Sequence, residues 1–582
     1  MPADRHLENA TAALVNELTL LPLAVRVLRR RPIHIVMVDP LFPPLRPLLE
    51  RAARWLVARG ARWLIDSFPE DRDTWNFPNR IFSHDVLAII EPWQNRFYRF
   101  DRADSDRRHG YALKLLVTNF VNRRYVAAHV LAKAVGHAPG MPILGLSPAL
   151  DGVARAWLGS DALGTAKPAQ GPVRLINLLS SLFGLTAAAA FALIRLRPSV
   201  RPVPVFVLAD HDSGSGDLHL LKEFQAGGEV ALAMRNRRAL TGCAREDLEL
   251  RHFLVTDGVF DPAGALAMIG EAISDSLDLF RRYGDMEPAL FHQLALLPYR
   301  RALLRGLFNR CRPKFFWARD DYNVEHVIRR QELNRIGAPQ YGLNHAIQGI
   351  CILLPQTRYV SMDVYFTMGR AFHPYFRDSW AKDMVLRPVG GYQFSRAYFQ
   401  RPRRRTNGIL FMARFATGEA EFVRAVRMTA QAFPDRPIWI QTKRNYPSEA
   451  VTSRFTEECR AGLANVSLRS EKVYDMILDP EIIVTDPSTI VGETIQLKIP
   501  TVVLDVIPEQ KTSIFRSFPR LCVTNAEDCV ARLRGLLDGT VPFDPAAYGE
   551  LIDLAERPIS DAVLAEMGLA AAQTSSDRSS LP

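Results

Sequence analysis

The sequence predicts an α/β protein with two parallel-sheet lobes and an additional N-terminal α/β region. Three observations carry that expectation. Strand-like apolar runs alternate with helical ones from residue 202 onward, the pattern of parallel sheets covered on both faces. A basic stretch at 400–408, QRPRRRTNG, interrupts the alternation and divides it into two series. Finally, 582 residues exceed a single module, since domains run to about 150 residues each.

The first region, 1–172, contains the strand-like PIHIVMVDP (Pro32 to Pro40). Leu45, Leu48, Ala52, Trp55 and Leu56 follow at helical spacing, and ARWLIDS then reads as a second strand, so a βαβ start is expected. A helix is expected around Tyr111 to Val135, and 139–169 is rich in turn residues, as a linker would be. Residues 173–201 hold an apolar helix. Its twenty uncharged residues, Leu175 to Ile194, lie between Arg174 and the trio Arg195, Arg197 and Arg201. That length suits a bilayer, but Asn177, Ser180, Ser181, Gly184 and Thr186 dilute the apolarity. A span, an interfacial helix and a buried core helix therefore all stay open.

In the first lobe, 202–400, VPVFVLAD, LRHFLVTD, PKFFWARD, APQYGLN, DVYFTMG and MVLRPVG read as strands. The helix expected at 262–283 aligns Leu266, Ile269, Ile273, Leu277 and Phe280 on one apolar stripe. In the second lobe, 401–568, the strands are GILFMAR, PIWIQTK, ANVSLRS, EIIVTDP, PTVVLDV and RLCVTN. Residues 569–582 read as a disordered tail.

Lys and Arg number 73 against 62 Asp and Glu, a surplus of eleven that attracts phosphates, nucleotides, anionic lipid or nucleic acid. Six cysteines without a CxxC pair suggest neither a zinc site nor a disulfide framework, and a reducing, cytoplasmic compartment is the expectation. The opening MPADRHLENA has no secretory signal pattern. No HExxH, GxxxxGK[ST] or GxSxG occurs at a useful place, which argues against a zincin, a P-loop NTPase and an α/β-hydrolase.

Open parallel sheets bind ligands beyond the carboxyl ends of their strands. The polar residues there are Asp210, His211 and Asp212; Asp320 and Asp321; Asn344 and His345; Arg414; Lys443 and Arg444; Asp486, Ser488 and Thr489; and Asp505. Cations and hydroxyls dominate the second lobe, carboxylates and a histidine the first. That asymmetry suggests a phosphate-bearing donor in the second lobe and an acid/base or acceptor site in the first. In IIVTDPSTIVGETIQLKIPTVVLD, Pro487 suits a first helical position, and Ser488 and Thr489 would sit in the first turn, where unpaired N–H groups welcome an anion. Glu493, one turn deeper, could accept from ribose or sugar hydroxyls, while Asp486 as a helix cap would compete for the same N–H groups. Lys443 and Arg444 form either a diphosphate clamp or a solvated charge pair. His345 suits a general base or a phosphate contact, with Asp320 as the catalytic carboxylate and Asp210 and Asp212 as rival bases. His373 reads as structural.

The segment around DPSTIVGET resembles the donor-binding element of GT-B glycosyltransferases, in particular bacterial surface and capsular polysaccharide biosynthesis and CDP-glycerol glycerophosphotransferase-like proteins. FFWARDDYNVEHVIRRQELNRIGAPQYGLNHAIQG resembles that group's Arg-Asp-Asp turn, helix and Gln-His-Gly motif, here Asn344, His345 and Ala346. TMGRAFHPYF with LRPVGGYQ is similar to its link into the second lobe, and Lys443 and Arg444 stand where it often has a Lys-Pro-His-Pro-like sequence. The similarity covers 203–535. It implies a GT-B-like pair of Rossmann-like lobes, an acceptor lobe followed by a nucleotide-donor lobe. The donor set is then Arg414, Lys443, Arg444, Ser488, Thr489 and Glu493, and the catalytic candidates are His345, Asp320 and Asp210.

The function expected is transfer of a sugar from a nucleotide-sugar donor to a growing surface polysaccharide or lipid-linked acceptor, with no metal and no cofactor beyond that co-substrate. A non-catalytic assembly protein of the same fold and a polyol-phosphate transferase using a CDP donor are the alternatives. Charge and apolar helix together fit a peripheral protein at the anionic inner face of the cytoplasmic membrane. Nucleic acid is not an expected partner, since RPRRRTNG carries no stacking aromatics.

Overall fold

The computed structural model describes residues 7, 10–40, 42–68, 109, 111–159, 163, 172–211, 218–235, 250–318, 324–344, 360–374, 383–404, 406–413, 419–442, 449–506 and 514–569. The tail beyond 569 lies outside them.

Three sheets form. The N-terminal one contains β1 (Thr11–Val15), β2 (Ile33–Val38), β3 (Arg62–Trp63) and β4 (Ile143–Leu144), in the order β3-β2-β1-β4. The second holds β5 (Val203–His211), β6 (Val230–Met234), β7 (Arg251–Leu254), β8 (Cys311–Ala318), β9 (Gln340–Leu343), β10 (Val364–Thr367) and β11 (Val385–Pro388), ordered β11-β10-β9-β8-β5-β6-β7. The third holds β12 (Ile409–Ala413), β13 (Ile438–Thr442), β14 (Val466–Leu468), β15 (Ile482–Thr485), β16 (Thr501–Leu504) and β17 (Cys522–Val523), ordered β14-β13-β12-β15-β16-β17. Neighbouring strands pair in parallel throughout the described residues. In each sheet the first strand is central, two more are added on one side, and the chain then crosses to the other. This is the 3-2-1-4-5-6 winding of dinucleotide-binding folds, complete in the second and third sheets and truncated in the first. The two expected Rossmann-like lobes and the additional N-terminal α/β region are therefore present.

Fifteen helices of seven or more residues connect and cover these strands among the described residues. They are α1 (Leu20–Leu28), α2 (Arg46–Ala58), α3 (Tyr111–His137), α4 (Pro148–Leu158), α5 (Val173–Ile194), α6 (Leu218–Phe224), α7 (Pro262–Tyr283), α8 (Pro288–Ala295), α9 (Leu297–Arg310), α10 (Glu325–Asn334), α11 (Glu419–Ala432), α12 (Glu449–Arg460), α13 (Ile490–Gln496), α14 (Ala526–Leu537) and α15 (Ile559–Glu566). Their starts follow local chemistry. Asp261 accepts from the Gly264 N–H with Pro262 at the first helical position of α7, and Asn525 accepts from the Asp528 N–H at α14. Central strands such as β12, β15 and β16 are buried along their whole length, as a sheet covered on both faces requires.

The sequence reading differs from the structure at several places. The stretch expected as a linker, 139–169, holds β4 and the eleven-residue α4, whose start Ser147 caps by accepting from the Leu150 N–H. β1 and β6 are unanticipated strands, because TAALV and VALAM carry alanine where a strand signal needs β-branched residues. ARWLIDS gives only the two residues of β3 before a 3₁₀ turn. The chain also leaves the second lobe before residue 568. In α15, Ile559 and Val563 enter the core of the first lobe beside Leu220, Phe224 and Tyr341, with Arg387–Glu566 and Arg396–Asp561 ion pairs on the surface.

A further difference is the orientation of two helices. The Leu266, Ile273 and Leu277 stripe of α7 faces outward, while Ala265, Met268, Ala272 and Leu279 are buried. In α5 the inversion is stronger: Asn177, Ser180, Ser181, Gly184, Ala188 and Ala192 face inward, and Leu175, Leu178, Leu179, Leu182, Phe183 and Ile194 are exposed. The inner face is fixed by close approach and by hydrogen bonds. Asn177 Nδ2 donates to the carbonyls of Gly284 at 2.9 Å and Met286 at 2.6 Å, satisfying carbonyls of the turn between α7 and α8. A Cβ on Gly184 would lie 1.8 Å from the Ala295 carbonyl oxygen, so only glycine lets α5 approach the end of α8 this closely.

Candidate functional site

In each sheet the winding direction reverses beside the first strand, and a crevice opens there at the carboxyl ends. The N-terminal crevice, between β1 and β4, is filled by the chain itself. Asn16 Nδ2 donates to the Gly145 carbonyl at 3.2 Å, and a Cβ on Gly145 would meet Thr19 Cγ2 at 2.4 Å. Beside it, Asp39 at the end of β2 pairs with Arg124 of α3 at 2.5 Å, and burial pushes Glu287 up to about 7 against the opposing pull of Arg124. A cavity of about 420 Å³ lined by Arg30, Arg31, His34, Arg59 and Arg62 lies at the amino end of β2, away from the crevices.

In the first lobe the crevice lies between β5 and β8, which pair through Ala209 and Trp317. β5 carries Asp210 and His211, both buried, to this edge. Asp210 Oδ2 accepts from Arg235 Nη2 at 2.8 Å and from Arg329 Nη1 at 3.2 Å, so this carboxylate is held between two guanidiniums. Asp212, Asp320, Asp321 and His345 lie outside the described residues; the strand that precedes Asp320, β8, is the other wall of the same crevice. The Asn344 N–H donates to the Phe366 carbonyl at 2.8 Å, continuing the pairing of β9 with β10. His373 is buried with Nε2 2.9 Å from Thr367 Oγ1.

The second-lobe crevice lies between β12 and β15. Ala413 is opposite Thr442, and Met412 is opposite Thr485, so β13, β12 and β15 end side by side. Arg414, Lys443 and Arg444 follow those ends in sequence and lie outside the described residues. On the β15 side the chain turns through Asp486, Pro487, Ser488 and Thr489, and Ser488 Oγ is 3.2 Å from Thr485 Oγ1. The helix begins later than its sequence suggests. α13 starts at Ile490 with Thr489 at the N-cap and no side-chain cap there, so Pro487 and the hydroxyl pair form the turn before the helix. Asp505, at the end of β16, is buried and accepts from Arg516 Nε at 2.9 Å.

Glu493 departs from its expected role. It is 1% exposed, accepts from the Tyr474 hydroxyl at 3.0 and 3.2 Å, and burial pushes it up to about 8. A ribose contact is closed to it in this arrangement. Gly391, from the PVGG link, packs so tightly on it that an added Cβ would lie 2.9 Å from Glu493 Cγ. The Gly391 N–H donates to Gln496 Oε1 at 2.9 Å, and Gln496 Nε2 donates to the Ala555 carbonyl at 2.8 Å. Gly390 has φ +81°, the left-handed region that favours glycine. Glu493 and Gln496 thus lock α13 to the link that follows the carboxyl end of β11. Tyr474 and Gln496 were not singled out by sequence. The three-residue spacing of Glu493 and Gln496, which places both on one face of α13, was the available signal.

No family model matches the chain and no curated protein matches it. Among solved structures, it is similar to UDP-N-acetylglucosamine 2-epimerase from Neisseria meningitidis bound to UDP-GlcNAc, with 10% identity and a TM-score of 0.39 over 63% of this chain and 99% of that one. The glycotransferase of kitacinnamycin is similar at 15% identity and a TM-score of 0.38, over 63% and 100%. MurG of Acinetobacter baumannii is similar at 10% identity and a TM-score of 0.37, over 63% and 99%.

Proposed function

We propose that this chain transfers a sugar from a nucleotide-activated donor to a surface-polysaccharide or lipid-linked acceptor, with the donor in the second lobe and the acceptor in the first. The observation that carries the reading is that the strand ends flanking the crevices of the second and third sheets are those after which the sequence places carboxylates with a histidine in one lobe and cations with hydroxyls in the other. In the reaction, an acceptor hydroxyl oxygen bonds to the anomeric carbon as the bond from that carbon to the diphosphate oxygen breaks. The hydroxyl proton passes to His345, with Asp320 as the catalytic carboxylate, and Asp210 holds Arg235 and Arg329 at the crevice floor. Arg414, Lys443 and Arg444, with the Ser488 and Thr489 hydroxyls, take up the charge that develops on the leaving nucleotide. Glu493 acts as a positioning residue that holds the Ser-Thr turn against the first lobe.

A thermal-shift panel of UDP, GDP, CDP, CMP and dTDP conjugates identifies the nucleotide, since a ligand at about 100 times its Kd adds roughly 2.7 kcal/mol of stability. Nucleotide release is then measured for the wild type and for Lys443→Ala, with a loss of roughly a hundredfold or more expected in the variant. Binding without release by the wild type would identify a non-catalytic binding protein, and no response to any conjugate would remove the donor site.

A further inference from the structure

α5 and α7 run antiparallel. The N-terminal turn of α5 meets the end of α7 through Asn177 and Gly284, Ser181 donates to the Ser276 carbonyl at midlength, and Leu196, just beyond α5, bridges to Phe260 just before α7. Both helices rest on the layer made by α8 and α9. Their outward faces therefore point the same way, and together they make one apolar surface. Phe183 is 48% exposed, Ile194 74% and Leu266 71%. At roughly 1.5 Å per residue, the 22 residues of α5 extend this surface over about 33 Å.

This surface is built unlike a core helix and unlike a spanning one. Its small and polar side is occupied by the lobe, which leaves no way for α5 to cross a bilayer alone. Its large apolar side is uncovered, and an apolar face of this extent marks a surface built for contact. The choice of occupant follows from the residues along it. Apart from Thr186, the exposed side of α5 offers aliphatic side chains and Phe183, with no polar rim to hydrogen-bond a protein partner. Cations stand at both ends: Arg174, Arg281 and Arg282 at one, where Arg174 pairs with Asp285 and Arg282 with Asp278, and Arg195, Arg197 and Arg201 at the other. The last three have no carboxylate partner among the described residues. A second copy of the chain would bring a like-charged rim against itself, whereas anionic headgroups complement it.

We propose that the α5–α7 face docks the protein in the plane of an anionic bilayer, its apolar rows entering one leaflet and Arg195, Arg197 and Arg201 meeting lipid phosphates. The inference stands apart from the sugar-transfer reading, and its test uses no nucleotide. The full chain is sedimented with vesicles of phosphatidylcholine alone and of phosphatidylcholine mixed with phosphatidylglycerol. Wild type is expected to bind the mixed vesicles at least roughly tenfold more tightly than Leu178→Asp/Leu182→Asp, and Arg195→Ala/Arg197→Ala/Arg201→Ala to lose the preference for phosphatidylglycerol. Circular dichroism melts check that each variant folds; should the double variant melt early, Phe183→Ser is read in its place. Equal binding by the wild type and a folded face variant overturns the proposal. So does a lipid-free wild-type dimer that the face variant converts to monomer without any wild-type vesicle binding, which would assign the face to a second copy.

Discussion

The helices of the second lobe and the α5–α7 pair of the first solve the same covering problem in opposite ways. α11 turns Phe422, Val423, Ala425 and Val426 toward its sheet, and α14 turns Ala526, Cys529 and Leu533. α5 turns Asn177, two serines, a glycine and two alanines inward and leaves its leucines outside. Apolarity thus decides the inner face only where a helix meets a flat sheet with room for large side chains. Where it must approach backbone closely and supply donors to unpaired carbonyls, size and hydrogen bonding prevail. The sharpest way to break this contrast is one substitution made in both places. Phe422→Ala, at a residue 5% exposed, is expected to cost about 3–5 kcal/mol. Phe183→Ala, at 48% exposure, should cost less than about 1 kcal/mol in the absence of lipid. Urea unfolding midpoints compare the two, and equal losses would mean that the α5 face is covered in solution.

A smaller effect tests the inner face itself. Gly184→Ala adds one methyl group where the Ala295 carbonyl already stands, and backbone cannot swing aside as a side chain can. The expected cost is about 1–3 kcal/mol, against a slight gain for the same change at an unobstructed helical glycine such as Gly270, where nothing lies within 4 Å. Thermal melts of the two variants read the difference, and a neutral Gly184→Ala would show that α5 is not held by close contact.

The same physics explains how much was legible beforehand. Strands such as ILFMA and IIVT announce themselves because a doubly covered strand has no polar alternation to confuse it. Their ends were therefore legible, while which strands flank each crevice follows from the sheet order. β1 and β6 stayed hidden because their alanines suit helices equally well. The apolar stripe of α7 was legible, but its direction was not. Periodicity reports that a face exists, and only the neighbours determine whether that face is covered. Glu493 shows the same limit in the site: its sequence position beside the Ser-Thr turn suggested a ligand contact, whereas its partners turned out to be Tyr474, 19 residues before it, and the Gly391 link at the end of the first lobe. The return of α15 to the first lobe was equally invisible, since nothing local distinguishes it from another helix of the second.

Both lobes bury polar side chains, and a pH series separates the two kinds. Asn177 and Ser181 are neutral, so their burial is indifferent to pH. Glu493 is an acid pushed by burial from an ordinary 4.5 up to about 8. Because the folded value lies above the unfolded one, the stability linked to its protonated form is fully present below about pH 4.5 and is lost as pH rises toward 8. Over that window the unfolded chain has given up the proton and the folded chain still holds it. Glu493→Gln keeps an amide for the Tyr474 hydroxyl to donate to and removes the titration. The variant should therefore lose measurably less stability than wild type between pH 5 and pH 8, since each unit of pKa shift carries about 1.4 kcal/mol. Glu287, also raised, to about 7, titrates in both proteins and cancels from the comparison. Parallel pH dependence in the two would mean that Glu493 is ionised in the folded protein, and the lock between α13 and the PVGG link would then have to hold a charge.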